Sequence, residues 1–239
     1  METINDLLGY EDIKIYQNPE MFSFSLDSVL LPNFVTINKN IKNILDIGTG
    51  NAPIPLILST KTNAHITAVE IQKDVYALAQ KTVKINNLEN QINLINADIK
   101  KIYQTMEPNY YDVITCNPPY FKVTENSNLN KNDYKTIARH EVELNLDNLC
   151  QIVKRLLKND GIFALVHRPE RLHEILETMT KYNLEPKKIM FIYPKEHQNA
   201  NTVLIEARLN ANQGLKVLPP LIAHTSDGQY TNEIKQYFK

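Results

Sequence analysis

From about residue 42 the chain alternates short runs of consecutive apolar residues with stretches in which apolar positions recur every three or four residues. Ile44-Leu45-Asp46-Ile47, His65 to Glu70, Ile92 to Ala97, Asp112 to Cys116 and Ile162 to Val166 read as strands. Two further strands are expected around Lys188–Ile192 and Thr202–Ala207. Helical spacing places Val75, Leu78, Ala79 and Ile85 on one face, with Asp74 as the cap and Asn86-Asn87 as the stop. A second helix opens at Asp147, carries Leu149, Ile152, Val153, Leu156 and Leu157, and closes at Asn159-Asp160-Gly161. A third starts at Pro169 and carries Leu172, Ile175, Leu176 and Met179. Pro53 and Pro55 confine another helix to a start at or just before them, where the missing N–H groups have no helical partners.

Continuous apolar strands between amphipathic helices imply an α/β fold, a mostly parallel sheet covered on both faces. Ligands in such sheets bind beyond the carboxyl ends of the strands, near the point where strand order reverses. Residues 1–40 lack the alternation and are expected to form an N-terminal cap on a domain spanning 41–239. The polar stretch Thr124–Lys135 reads as a loop.

Composition narrows the function classes. At 239 residues, with 43% hydrophobic and 22% charged residues, the chain can build one large domain with a substantial core. It has no apolar run of the length a membrane-spanning helix needs and no secretory pattern at Met1–Asp6. Cys116 and Cys150 lack metal-ligand spacing, so no metal is expected and a reduced, cytoplasmic setting is. The net charge is −1, with Glu2, Asp6, Glu11, Asp12, Glu20 and Asp27 against Lys14 alone in the first 30 residues. A polyanionic partner would therefore have to meet a local basic rim.

Four constellations carry chemistry. Asp46-Ile47-Gly48-Thr49-Gly50 runs from a strand into Gly-x-Gly, a turn that lets a ligand approach the backbone. Pro53 stands where a dinucleotide fingerprint needs its third glycine, and Asp46 would oppose a diphosphate, so a cofactor without phosphates fits better. Glu70, 20 residues beyond Gly50, ends the second strand, where a carboxylate can accept from both ribose hydroxyls. Asp98 closes the third strand and can either cap a helix or accept from an adenine amine. Asn117-Pro118-Pro119-Tyr120 follows the fourth strand. Its prolines remove two N–H donors, which releases carbonyls from the sheet ladder, and Tyr120 offers a face for an extruded base.

These residues resemble the class I S-adenosylmethionine-dependent methyltransferases, in the branch that methylates nitrogen through Asn-Pro-Pro-Tyr. Ala52-Pro53 departs from the Gly or Ser-Gly usual there. Phe22 to Leu31, Ala138-Arg139-His140-Glu141 and Val166 to Leu172 are similar to segments of the bacterial tRNA1(Val) adenine-N6-methyltransferases. The resemblance implies a Rossmann-like sheet of seven strands, six parallel and one antiparallel. It further implies S-adenosylmethionine as cofactor, held by Phe24, Asp27, Asp46, Gly48, Gly50, Glu70, Asp98 and Asn117. Asn117, Pro118, Pro119 and Tyr120 would be catalytic, and Lys122, Arg139, Arg168 and Arg171 would contact RNA. The partner implied is tRNA, methylated at N6 of the adenine next to the anticodon, by a monomer that needs no membrane. A glutamine-N5 methyltransferase acting on a release factor, a guanine-N2 rRNA methyltransferase and a non-catalytic adenosine-ligand or RNA-binding module remain the alternatives. Arg168 and Arg171 can equally pair with Glu170 and Glu174 on a solvated helix.

Overall fold

The computed structural model describes residues 2–18, 25–118 and 144–237. Seven long strands carry the fold: β3 (Asn43–Ile47), β4 (His65–Glu70), β5 (Ile92–Asn96), β6 (Tyr111–Cys116), β7 (Leu157–His167), β8 (Leu184–Tyr193) and β9 (Thr202–Leu209). They lie in the order β8-β9-β7-β6-β3-β4-β5. Only β9 runs against its neighbours, so the other six are parallel, as the resemblance implied. Two short strands, β10 (Lys216–Val217) and β11 (Leu221–Ile222), extend the sheet beyond β8 and were not expected.

Alternate residues of the central strands feed two apolar layers. Ile44, Val113, Ile162, Ala164 and Val166 face one cluster. Leu45, Ile114, Phe163 and Leu165 face the other. The first layer includes α1 (Leu26–Phe34), α2 (Pro53–Ser59) and α3 (Lys73–Ile85). The second includes α4 (Ile99–Ile102), α5 (Leu146–Leu156) and α6 (Leu172–Lys181). A short helix, α7 (Asn232–Tyr237), adds Ile234 to the first.

The N-terminal residues join that first layer. Strands β1 (Thr3–Leu7) and β2 (Tyr10–Gln17) form an antiparallel hairpin, and Leu7 and Ile15 are buried beside Val29, Leu30 and Leu31 of α1. The hairpin is stitched to α3: the Tyr16 N–H donates to Thr82 Oγ1 at 3.0 Å, and the Lys14 N–H to Asn86 Oδ1 at 3.0 Å. This explains a difference from the expected α3 face. Thr82 is buried, whereas Ile85 is 39% exposed.

Two helix ends also differ. Helix α3 is capped at Gln72, leaving Asp74 inside the first turn. Glu70 Oε1 accepts the Gln72 N–H at 2.9 Å, which holds the chain in the conformation that starts the helix there. Helix α5 stops at Leu156, before the expected Asn159-Asp160-Gly161 stop. Tyr111 pairs with Leu157, so strand pairing takes over from the helix at once. Gly161 falls within β7, where an added Cβ would lie 2.8 Å from both Leu157 Cγ and the Lys158 carbonyl.

Candidate active site

The sheet order reverses at β3, which has β4 on one side and β6 on the other. Register then places the candidate residues. Ile47 pairs with both Val69 and Cys116, so Gly48, Glu70 and Asn117 each stand one residue past a shared level. Glu70 in turn pairs with Asn96, two residues before Asp98. Three of the four sequence constellations thus meet at the crevice where strand order reverses, and Asp98 flanks it.

The glycine turn is fixed from β4. Gly48 and Thr49 N–H groups donate to the Val69 carbonyl at 2.9 and 3.0 Å. The Gly50 N–H donates to Glu70 Oε2 at 2.9 Å. Both glycines adopt positive φ, 70° and 61°, which a side chain resists. A Cβ on either would meet nothing within 4 Å, so open space lies against this stretch of backbone. Asn51 Nδ2 donates to the Tyr16 carbonyl at 2.8 Å and joins the turn to β2. Ala52, at the departure from the family pattern, also takes the left-handed conformation (φ 72°) and caps α2, with Pro53 in the first turn.

Asp46 is fully buried. Its Oδ1 accepts from Thr115 Oγ1 at 2.6 Å, while Oδ2 and the nearby Thr49 Oγ1 have no hydrogen-bond partner. Burial pushes the carboxyl up to about 7; the Thr115 and Thr49 hydroxyls oppose this, and the Glu70 charge adds to it. An unpartnered buried carboxylate oxygen suits a group that brings a donor or a positive charge.

Glu70 is 4% exposed, and its two oxygens accept from Gly50 and Gln72 backbone N–H groups. Each carboxylate oxygen has a second lone-pair direction, so the clamp orients the group without exhausting it. Asn96 Nδ2 donates to the Glu70 carbonyl at 2.8 Å. Ile71, directly after Glu70, is 37% exposed and offers an apolar surface at this edge. The sequence reading missed it, although an apolar residue after a strand-end carboxylate was a usable signal. Asp98 caps α4, with Oδ1 accepting the Lys100 N–H at 3.0 Å. That satisfies the helix-cap reading of this residue.

Asn117 follows β6 and donates from Nδ2 to Ser28 Oγ at 3.0 Å. Ser28 lies on α1 and had not been singled out; no periodicity marks it. Its neighbour Asp27 is buried and accepts from Thr202 Oγ1 at 3.2 Å. Pro118 is buried and lines a small hollow with Leu144, Leu149, His167 and Arg171. Burial, with Arg171 beside it, lowers His167 to about 4, so its ring is neutral near pH 7 and accepts the Arg168 N–H at Nδ1, 2.7 Å away. Arg171 makes a two-pronged ion pair with Glu174 at 3.0 and 2.8 Å. Arg168 Nη1 donates to the Asn201 carbonyl at 2.6 Å. Phe24, Pro119, Tyr120, Lys122 and Arg139 lie outside the described residues.

The methyltransferase small domain family matches residues 12–185. The chain is 30% identical over 219 residues to the tRNA1(Val) (adenine(37)-N6)-methyltransferase of Aliivibrio salmonicida, covering 89% of this chain and 87% of that protein. It is 27% identical over 209 residues to the Phocaeicola vulgatus enzyme of the same name, covering 87% and 86%. For the Bacteroides thetaiotaomicron enzyme the values are 26% over 234 residues, 97% and 95%. Among solved structures, an Agrobacterium tumefaciens protein described as a predicted O-methyltransferase superposes with a TM-score of 0.69 at 16% identity, covering 89% of this chain and 95% of that one. Geranyl diphosphate C-methyltransferase of Streptomyces coelicolor gives 0.57 at 11% identity, covering 76% of each. These structural likenesses establish the fold. The chain belongs to the methyltransferase small domain family, in the group of the tRNA1(Val) adenine-N6-methyltransferases, and is a methyl-transferring enzyme of the Rossmann-like α/β class.

Proposed function

We propose that the protein methylates N6 of an adenine in tRNA, the adenine next to the anticodon of tRNA1(Val), using S-adenosylmethionine. The observation that carries this reading is the position of Asn117 beside Gly48 and Glu70 at the strand reversal, with its side-chain amide tied to Ser28. Asp46, Gly48, Gly50, Glu70 and Asp98 would hold the cofactor, with Phe24 and Asp27 contributed by residues 1–40 as a cap. The residues fit it. The buried Asp46 oxygen lacks a partner, Glu70 is presented with lone pairs to spare, and open space adjoins both glycines. S-adenosylmethionine, when bound, supplies an electrophilic methyl group on a sulfonium.

The chain's own task is to prepare the nucleophile. An adenine amine is planar because its lone pair is delocalised into the ring. Acceptors at Asn117 Oδ1 and the Pro118 carbonyl would take its two hydrogens and favour a pyramidal nitrogen. Tyr120 would stack on the extruded base. The methylated amine, cationic once its lone pair is used, would release its proton to solvent, so positioning and these hydrogen bonds serve without a strong general base. Lys122, Arg139, Arg168 and Arg171 would form the phosphate-binding rim.

Asn117→Ala tests the reading. Methyl-label incorporation into tRNA should fall strongly, while calorimetric affinity for S-adenosylmethionine stays near wild type. Digestion of the labelled tRNA should yield N6-methyladenosine; label in a release-factor glutamine or in guanine N2 of rRNA would favour the alternatives.

A further inference from the structure

We propose that Ser28 is a positioning residue for methyl transfer: its hydroxyl holds the side-chain amide of Asn117 in the orientation that receives the target amine. This rests on the amine-orienting role of Asn117. Ser28 Oγ lies 3.0 Å from Asn117 Nδ2, across 89 residues of sequence, and Ser28 is 6% exposed. The terminal torsion of an asparagine is broad and roughly two-fold, so rotation about it exchanges an acceptor for a donor. With Nδ2 turned to α1, Oδ1 faces away from the helix. Without that bond α1 no longer selects which amide atom faces the amine, and a turned Nδ2 would set two donors against each other.

Helix α1 does not depend on this bond for its place. Thr202 Oγ1 donates to Asp27 Oδ1 at 3.2 Å. At the other end, Glu206 accepts from the Thr36 N–H at 2.8 Å and the Thr36 hydroxyl at 3.0 Å. Lys188 Nζ lies 2.9 Å from Glu206 and donates to the Phe34 carbonyl at 2.8 Å. The helix is a fixed arm, and the Ser28 hydroxyl is a contact it makes with Asn117.

The test compares Ser28→Ala, Ser28→Thr, Asn117→Ala and the Ser28→Ala/Asn117→Ala double variant. Measurements are kcat and KM for tRNA, calorimetric Kd for S-adenosylmethionine, and melting temperature. Ser28→Ala should lower kcat about 10- to 100-fold. Its KM, Kd and melting temperature should stay close to wild type, and Ser28→Thr should restore most of the rate. In the Asn117→Ala background, Ser28→Ala should cost less than about twofold, since the two residues act as a unit. Wild-type kcat in Ser28→Ala beside a slow Asn117→Ala would overturn the inference and leave the Asn117 reading standing. Independent losses in the double variant, or a fall in Kd and melting temperature matching that in kcat, would also overturn it. Wild-type kcat in Asn117→Ala would instead remove the reading on which it rests.

Discussion

At the scale of single residues, Asp46 and Glu70 are both buried strand-end carboxylates but differ in what surrounds them. Glu70 has two backbone N–H donors, whereas Asp46 has a single hydroxyl and one unpartnered oxygen. The raised pKa of Asp46 has a defined consequence. Between about 4 and about 7 the folded chain keeps a proton that the unfolded chain releases, so this group's contribution makes stability fall as pH rises through that window. Asp46→Asn should abolish that contribution. Unfolding free energies at pH 5 and pH 8 should show the variant gaining on wild type at the higher pH, and a pH-independent difference would mean that Asp46 is ionised throughout. For Glu70, Glu70→Ala would remove the proposed ribose acceptor and release the Gly50 and Gln72 N–H groups together. S-adenosylmethionine affinity should fall about 10- to 100-fold, the ~1.5–3 kcal/mol expected of a charge-assisted bond. Glu70→Gln, which keeps one acceptor, should lose less, and unchanged calorimetric affinity in Glu70→Ala would place the ribose elsewhere.

At the scale of elements, the strands and the buried helical faces were legible because their periods differ. The ends were less so. Asn159-Asp160-Gly161 has the composition of a helix stop, yet the pairing of Tyr111 with Leu157 ends α5 earlier. Helix α1 shows what local sequence cannot reveal. Its placement depends on Glu206 and Lys188, more than 150 residues away, and on a cation–π contact with Lys188 Nζ 4.4 Å from the centre of the Phe34 ring. Removing the lysine leaves the buried Glu206 carboxylate as an uncompensated charge. Lys188→Met should therefore cost about 3 kcal/mol or more in chemical denaturation. Lys188→Met/Glu206→Gln should recover a large part, because the glutamine carbonyl can still accept from Thr36. If the double variant is as unstable as the single one, apolar packing of the Lys188 stem on Phe34 is the larger effect.

At the scale of the whole molecule, a net charge of −1 gives no general attraction for RNA. Binding to tRNA must draw on a concentrated rim, and the folded arrangement limits what the two described arginines offer. Arg171 is engaged by Glu174, and Arg168 Nη1 donates to the Asn201 carbonyl. Replacing Lys122 and Arg168 together by Ala should weaken tRNA binding and flatten the slope of log affinity against log salt by roughly one to two units. Cofactor affinity should be unaffected. An unaltered slope would move the RNA face toward the Lys216–Lys239 segment, whose start extends the sheet through β10 and β11.

The alternation of strands and helices, the Gly-x-Gly turn, the strand-end carboxylates and the Asn-Pro-Pro-Tyr segment are all legible in the linear chain. Each of these is written in a local period or a contiguous motif, where neighbouring residues impose the constraint. Which of them meet is set by the folded arrangement of the strands. The parallel register brings Gly48, Glu70 and Asn117 to one level, although 69 residues separate the first from the last. Asp46 is left with an unpartnered Oδ2 because Thr115, on the strand beside it, engages Oδ1. Ser28 reaches Asn117 because packing in the first apolar layer and bonds to β8 and β9 hold α1 beside the sheet, and no periodicity in the first 40 residues encodes those distant partners.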